Sequence, residues 1–257
     1  MISLSNLGMG EPGLPQIRPP HPKIGVGPPH HINEGKIGAD IEIELRPNTF
    51  YPLPMAYKRK DYYYRRAKTE GKVSRATYKL SEIQRRFRIT KKGDVVIDLG
   101  CAPGGWLIEL SEFVGPQGKV IGIDILPVKT QLPKQCLVIQ GDLREEFSLG
   151  MLKQAAGRKV DAILSDMSPD ISGIEFADTY HSYELALLAL DTCRQLLKPG
   201  GNFLVKLFPG DEFADFVKTL KLNFQRVSTI VPKATRKTSS ERYLVALGYK
   251  KSSTARE

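Results

Sequence analysis

Val95-Val96-Ile97-Asp98-Leu99-Gly100-Cys101-Ala102-Pro103-Gly104-Gly105-Trp106 is an apolar run that breaks into a glycine-rich turn and then opens an amphipathic stretch. A run of five that begins with three β-branched residues and is closed by Gly and Pro reads as a buried strand, and residues 105–114 read as the helix that follows it. In an open α/β sheet, a turn of this kind lets backbone and ligand come close at the carboxyl end of a strand. The spacing is not the Gly-x-Gly-x-x-Gly of dinucleotide sites, and Pro103 stiffens a turn that has no pyrophosphate to wrap, so a nicotinamide dehydrogenase is disfavoured.

Outward from this turn, apolar runs alternate with helical patterns. Lys119–Ile125, Cys136–Gln140, Val160–Leu164, Asn202–Phe208 and Val227–Val231 are predicted strands, with helices at 146–156, 178–197 and 212–221. Upstream, Ser74–Phe87 places Ala76, Leu80, Ile83 and Phe87 at helical spacing, and Gly93 follows Lys91-Lys92. Strands alternating with helices predict a parallel, doubly wound α/β sheet. A last apolar run, Arg242–Tyr249, follows its predecessor through a loop too short for a crossover helix, so it is expected to be antiparallel. Six βα units closed by an antiparallel strand give the seven-stranded, Rossmann-like pattern of class I methyltransferases, with helices on both faces.

Charge is distributed unevenly. The net +10 sits in residues 57–92, with fourteen Lys/Arg against three Asp/Glu, whereas 1–56 carry four against five and 93–257 twenty against twenty. A solvated helix face is one reading of such a run. A surface that displaces counterions from a phosphate backbone is the favoured one, and Tyr62, Tyr63 and Tyr64 between basic residues would add stacking surface. Ten of the 18 prolines fall in residues 1–56, which show no regular period and read as a disordered extension. The expected organisation is therefore 1–56 extension, 57–92 basic RNA-binding segment and helix, 93–250 catalytic core and 251–257 flexible tail. No apolar run reaches the ~20 residues of a membrane span, no secretory leader is apparent, and residues 1–56 are too acidic for a transit peptide, so a cytoplasmic protein without membrane association is expected. Cys101, Cys136 and Cys193 lack CxxC spacing and His21, His30 and His31 lack partners at ligand spacing, so neither disulfide nor metal is expected.

Acids at successive strand ends mark a binding edge. Asp124 ends the second strand 24 residues after Gly100, where such folds place a carboxylate on ribose hydroxyls, and Asp142 follows the third strand, where it can accept from an adenine amino group. A lone Asp there could simply cap the next helix. Acids at three successive strand ends favour a nucleoside-bearing ligand.

The chain from about Tyr57 to Tyr249 resembles the FtsJ/RrmJ (RlmE) ribosomal RNA 2′-O-methyltransferases. Five motifs in order carry the resemblance: Ser74–Leu80, Asp98–Trp106, Ser165-Asp166-Met167-Ser168-Pro169, Phe203–Phe208 and Ser239–Tyr243. The resemblance implies an S-adenosyl-L-methionine donor, an RNA 2′-hydroxyl acceptor (foremost a uridine of large-subunit rRNA), and a catalytic group formed by Lys79, Asp166, Lys206 and Glu241. It also implies cofactor contacts at Gly104, Trp106, Asp124, Asp142 and Asp166. Cys101, Ser168, Asp170 and the Pro-rich extension depart from the usual pattern without touching the tetrad. A tRNA 2′-O-methyltransferase and a non-catalytic RNA-binding assembly factor stay open as alternatives, and a monomer is expected.

Topology brings the tetrad together independently of the resemblance. Asp166 and Lys206 lie at the carboxyl ends of parallel strands, Glu241 precedes an antiparallel strand that starts at the same edge, and Lys79 can reach across the rim. A 2′-hydroxyl must lose its proton as it attacks a methyl group, so a base is useful; desolvation and a neighbouring cation help a lysine to serve, and carboxylates oppose this. Lys206 is assigned as the base, Lys79 as its like-charged neighbour and substrate positioner, Asp166 as the group orienting Lys206 beside the donor, and Glu241 as the holder of the lysines or the ribose.

Overall fold

The computed structural model describes Thr69, residues 76–236 and residues 238–250. The proline-rich extension, the three tyrosines at 62–64, most of the basic segment and the tail at 251–257 lie outside these residues.

Seven strands form one sheet: β1 (Val95–Leu99), β2 (Lys119–Asp124), β3 (Cys136–Gln140), β4 (Val160–Ser165), β5 (Leu197–Leu207), β6 (Phe224–Ile230) and β7 (Arg242–Tyr249). Their order is β3-β2-β1-β4-β5-β7-β6, with β7 antiparallel to both neighbours and the pairings from β3 through β5 parallel. Helices α1 (Ala76–Phe87), α2 (Gly105–Val114), α3 (Glu146–Ala156), α4 (Glu175–Leu196) and α5 (Phe213–Asn223) complete the fold.

The period of two along each strand sorts the core into two layers. Val96, Ala162, Leu164, Leu204 and Val245 pack with Leu80 and Ile83 of α1 and with Leu107 and Leu110 of α2. Ile97, Leu99, Ile163, Phe203 and Val205 pack on the other side with Leu152 of α3, Ala189 of α4 and Phe216 of α5. Strands covered on both faces need near-continuous apolar sequence, which explains why β1 and β4 are buried almost throughout.

Several expected boundaries move, each for a visible reason. The second βα unit has no helix, because Pro127 and Pro133 interrupt the β2–β3 connection. Strand β5 begins at Leu197, directly after α4, and carries an irregularity against β4 between the Val160–Leu197 and Ala162–Asn202 pairs. Strand β6 begins at Phe224, whose buried ring stacks on Phe203 at 6.0 Å and meets Tyr249 at 5.2 Å. Helix α4 starts at Glu175 rather than 178. Among the described residues, no helix is long and apolar enough to cross a membrane.

Candidate active site

Strand register delivers the first two groups. Lys206 of β5 is opposite Tyr243 of β7, and both share parity with the layer that faces α1 and α2. Lys79 lies on the buried side of α1 between Thr77 and Leu80. Helix α1 is held in place by the Trp106 indole N–H, which donates to the Ala76 carbonyl at 3.0 Å, and by a Ser81–Glu109 hydrogen bond to α2. The backbone N–H of Lys233 donates to Glu82 at 2.8 Å and ties the same helix to the β6–β7 loop that carries Glu241.

One connected network results. Lys79 and Glu241 form an ion pair. Lys79 Nζ is 3.5 Å from the Tyr243 hydroxyl and 5.6 Å from its ring centre, and that hydroxyl donates to Asp166 Oδ1 at 2.7 Å. Lys206 Nζ donates to the Asp166 carbonyl at 2.6 Å and lies 3.1 Å from Asp166 Oδ1. All four expected residues are thus assembled at the carboxyl edge, through a fifth that the sequence reading did not single out. Tyr243 is two residues beyond Glu241, and its place at the end of the Ser239–Tyr243 motif was the signal that could have found it. Partial burial pushes the Asp166 carboxyl up, but the Lys206 and Lys79 cations and the Tyr243 hydroxyl outweigh it and hold the group below the usual carboxylate range.

Beside this network lies the turn after β1. Gly104 precedes α2 with φ 107°, a left-handed conformation that favours glycine, and a Cβ there would fall 2.9 Å from Val128 Cγ1. Gly100 permits a second close approach, since its Cβ would meet Met167 Cγ at 2.8 Å; the Asp166 N–H donates to the Leu99 carbonyl at 3.2 Å. Asp124 accepts from the backbone N–H groups of Ala102 (2.9 Å) and Leu126 (2.8 Å), so it orders the turn that it borders. Asp142 is gripped by Arg144, which donates to both carboxylate oxygens. The Trp106 ring is buried against Tyr243, at 6.2 Å between centres. A ligand would therefore meet Trp106 through its backbone in the first turn of α2, where helix N–H groups lack internal partners.

Asp98 is the unexpected member. It is fully buried near the end of β1, and neither carboxylate oxygen has a hydrogen-bond partner among the described residues. Burial, reinforced by the fields of Asp166 and Asp124, pushes its carboxyl well above the ordinary range. Asp124 and Asp166 place negative charge at this turn, with the Asp98 carboxyl, favoured in its protonated form, buried behind them. That field suits a donor carrying positive charge, as a sulfonium and an ammonium do, and the glycine cradle suits a ligand pressed close to backbone.

A cleft of about 550 Å³, which Glu241 of the network lines, opens between the β4–α4 segment and the loop before β7. Ser168, Asp178 and Phe208 line it on one side and Arg236, Ser239 and Glu241 on the other. The network therefore touches the glycine turn through Asp166 and the cleft through Glu241, an arrangement suited to carrying a group from one bound molecule to another.

Comparison with known proteins agrees with this geometry. The FtsJ-like methyltransferase family matches residues 72–249. Proteins named Ribosomal RNA large subunit methyltransferase E are similar: that of Desulfosudis oleivorans is 42% identical over 198 residues, covering 76% of this chain and 93% of its own. The Alkalilimnicola ehrlichii protein is 45% identical over 190 residues, covering 74% and 90%, and the Methanococcus vannielii protein is 40% identical over 192, covering 75% and 74%. Among solved structures, a ribosomal RNA methyltransferase from Plasmodium falciparum superposes with a TM-score of 0.61 at 30% identity, covering 68% of this chain and 97% of that one. With the family match spanning the sheet, the glycine turn and every member of the network, this chain belongs to the FtsJ-like methyltransferases.

Proposed function

We propose that this chain methylates a ribose 2′-hydroxyl of RNA from S-adenosylmethionine, with a uridine of large-subunit rRNA as the acceptor. The observation that carries the proposal is the Lys79–Glu241, Tyr243, Asp166–Lys206 network between the glycine turn and the cleft. When bound, S-adenosylmethionine supplies a methyl group on a sulfonium that departs as a neutral thioether. Gly104 and the first turn of α2 would take the part of the donor nearest the backbone, Asp124 its ribose and Asp142 its base.

Lys206 is the proton acceptor in this reading. It gives up one proton before the reaction, keeps N–H bonds to the Asp166 carbonyl and carboxylate, and takes the 2′-hydroxyl proton as the oxygen–methyl bond forms. Asp166 fixes the amine through two contacts, and Tyr243 fixes Asp166. Lys79, paired with Glu241, supplies a buried positive charge facing the same carboxylate. Such positioning contributes through alignment as well as through proton transfer. The exposed Arg85, Arg86, Arg88, Lys91 and Lys92 at and beyond the end of α1 offer a basic surface for phosphates. Large-subunit rRNA is favoured because the relatives at 40–45% identity carry that substrate in their names.

The test is incubation with labelled S-adenosylmethionine and separately purified large subunits, free rRNA and tRNA, followed by mapping of the methylated ribose. Label on a 2′-oxygen of large-subunit rRNA is expected. Label in tRNA alone would overturn the acceptor, and donor binding with no transfer to any RNA would support a non-catalytic assembly factor.

A further inference from the structure

The segment joining β4 to α4, together with the first turns of α4, offers apolar side chains to solvent. Ile171, Ile174 and Phe176 are 63%, 65% and 68% exposed, and Tyr180 one turn later is 42% exposed. Single exposed hydrophobics need no explanation, but four within ten residues form a patch. The segment is also firmly built. Asp178 Oδ1 accepts from the Ser172 N–H (2.8 Å) and hydroxyl (2.7 Å), Asp178 Oδ2 accepts from the Gly173 N–H (3.1 Å), and the Ile174 N–H donates to Ser172 Oγ at 3.1 Å. Ordering a contact surface before binding lowers the cost of using it.

The patch is continuous with the cleft. Ile171, Gly173 and Asp178 line one wall, and Glu241, the partner of Lys79, lines the opposite one. Lys79 and Lys206 are recessed, each with a side chain only 7% exposed. A ribose within a stacked RNA strand cannot bring its 2′-oxygen to groups set that deep, so the acceptor nucleotide must leave the stack. Glu175 and Asp178 beside the patch repel phosphates, which leaves base faces as the part of RNA that this surface suits.

Resting on the reading that the chain methylates an RNA ribose, we infer that the β4–α4 segment is a base-stacking wedge. Ile171 bears on the base of the acceptor nucleotide inside the cleft, while Ile174 and Phe176 at its mouth take the place of the lost stacking partner for the neighbouring base. Apolar and aromatic platforms perform this task on single-stranded RNA with little regard to sequence.

The full-length protein is assayed on large subunits lacking its methyl group, and its affinity for single-stranded RNA oligomers is measured by anisotropy. The Ile174→Ser/Phe176→Ser double variant is expected to raise KM for subunits and Kd for oligomers about 10-fold, in line with the loss of a base-stacking contact, with kcat and S-adenosylmethionine affinity within about twofold of wild type. Ile174→Leu/Phe176→Leu should restore binding, since apolar surface rather than shape is the requirement. Unchanged KM and Kd would overturn the wedge. So would a raised KM for subunits with unchanged affinity for free RNA, which assigns the patch to a ribosomal protein. A wild-type protein that methylates no RNA would overturn the parent reading alone, and the oligomer affinities would still decide the wedge.

Discussion

Two aspartates five residues apart bracket β4, and their surroundings are inverted. Asp161, near the start of the strand, is buried, while the cations that satisfy it, Lys198 and Arg158, are 38% and 49% exposed; the Val95 N–H completes its set at 2.9 Å. Asp166, just past the end, is 21% exposed, while its cation Lys206 is buried. Both carboxyls are held below the ordinary range against the push of burial: Asp161 by Lys198, the Val95 N–H and Arg158, Asp166 by Lys206, Lys79 and Tyr243. An acid sealed in by cations that reach out to water closes the bottom of the sheet. Buried cations behind a partly exposed acid place reactive amines where a bound molecule can meet them.

If that contrast is one of function, mutation should split it. Lys206→Met should lower turnover per folded molecule on large subunits by about 10²–10⁴-fold, the range for loss of a positioned base, with a lowered melting temperature because Asp166 loses its main counter-charge; turnover within a few-fold would remove Lys206 as proton acceptor. Lys79→Met leaves Glu241 buried without its cation and should cost about 3–5 kcal/mol of stability in urea titration. Adding Glu241→Leu should recover most of that stability without recovering turnover, and recovery of both would make the pair a structural cluster like its counterpart at the bottom of the sheet. Asp161→Ala should cost less, about 1–3 kcal/mol, chiefly from the unsatisfied Val95 N–H, because its cations can turn to solvent. Turnover per folded molecule should be unchanged there, and a large loss would erase the distinction between the two ends.

How much of this was legible in sequence depends on whether a feature is local. Period and punctuation disclosed the strands, the glycine turn and the antiparallel direction of β7, because a short loop leaves a chain little choice. They could not disclose that β7 inserts between β5 and β6, which is a choice of long-range pairing, nor that this pairing sets Tyr243 beside Lys206. Lys79, Asp166, Lys206 and Glu241 were found through strand-end placement and family motifs, and the structure brings them into one network. The roles of Asp124 and Asp142 at the donor site stay proposals, and Trp106 is packed by its ring rather than opened to a ligand. Asp98 was visible only as one of the acids at successive strand ends. Its isolation from hydrogen-bond donors among the described residues is a property of burial, which no spacing rule records. The β4–α4 wedge escaped for the opposite reason: exposed isoleucines look like core residues until the fold leaves them outside.

Asp98 also supplies the subtlest test of the contrast, through its sign. Asp161 and Asp166 have folded values below their unfolded ones, so each adds stability that is present above about pH 4 and is lost as pH falls through the folded value. Asp98 is raised, so the folded protein retains a proton that the unfolded chain has released: stability is greatest below about pH 4 and declines as pH rises toward the folded value, by at most about 1.4 kcal/mol per pH unit. Removing that titration with Asp98→Asn should flatten the decline in melting temperature between about pH 4 and neutrality, while Asp161→Asn should flatten only the loss on the acid side of pH 4. A bound cationic donor would favour the carboxylate form of Asp98, so saturating wild-type protein with S-adenosylmethionine should flatten the same limb of the curve that Asp98→Asn does. If the donor leaves that limb unchanged, the Asp98 carboxyl has no part in binding it, and the upper edge of the sheet loses one of the features that set it apart from the lower.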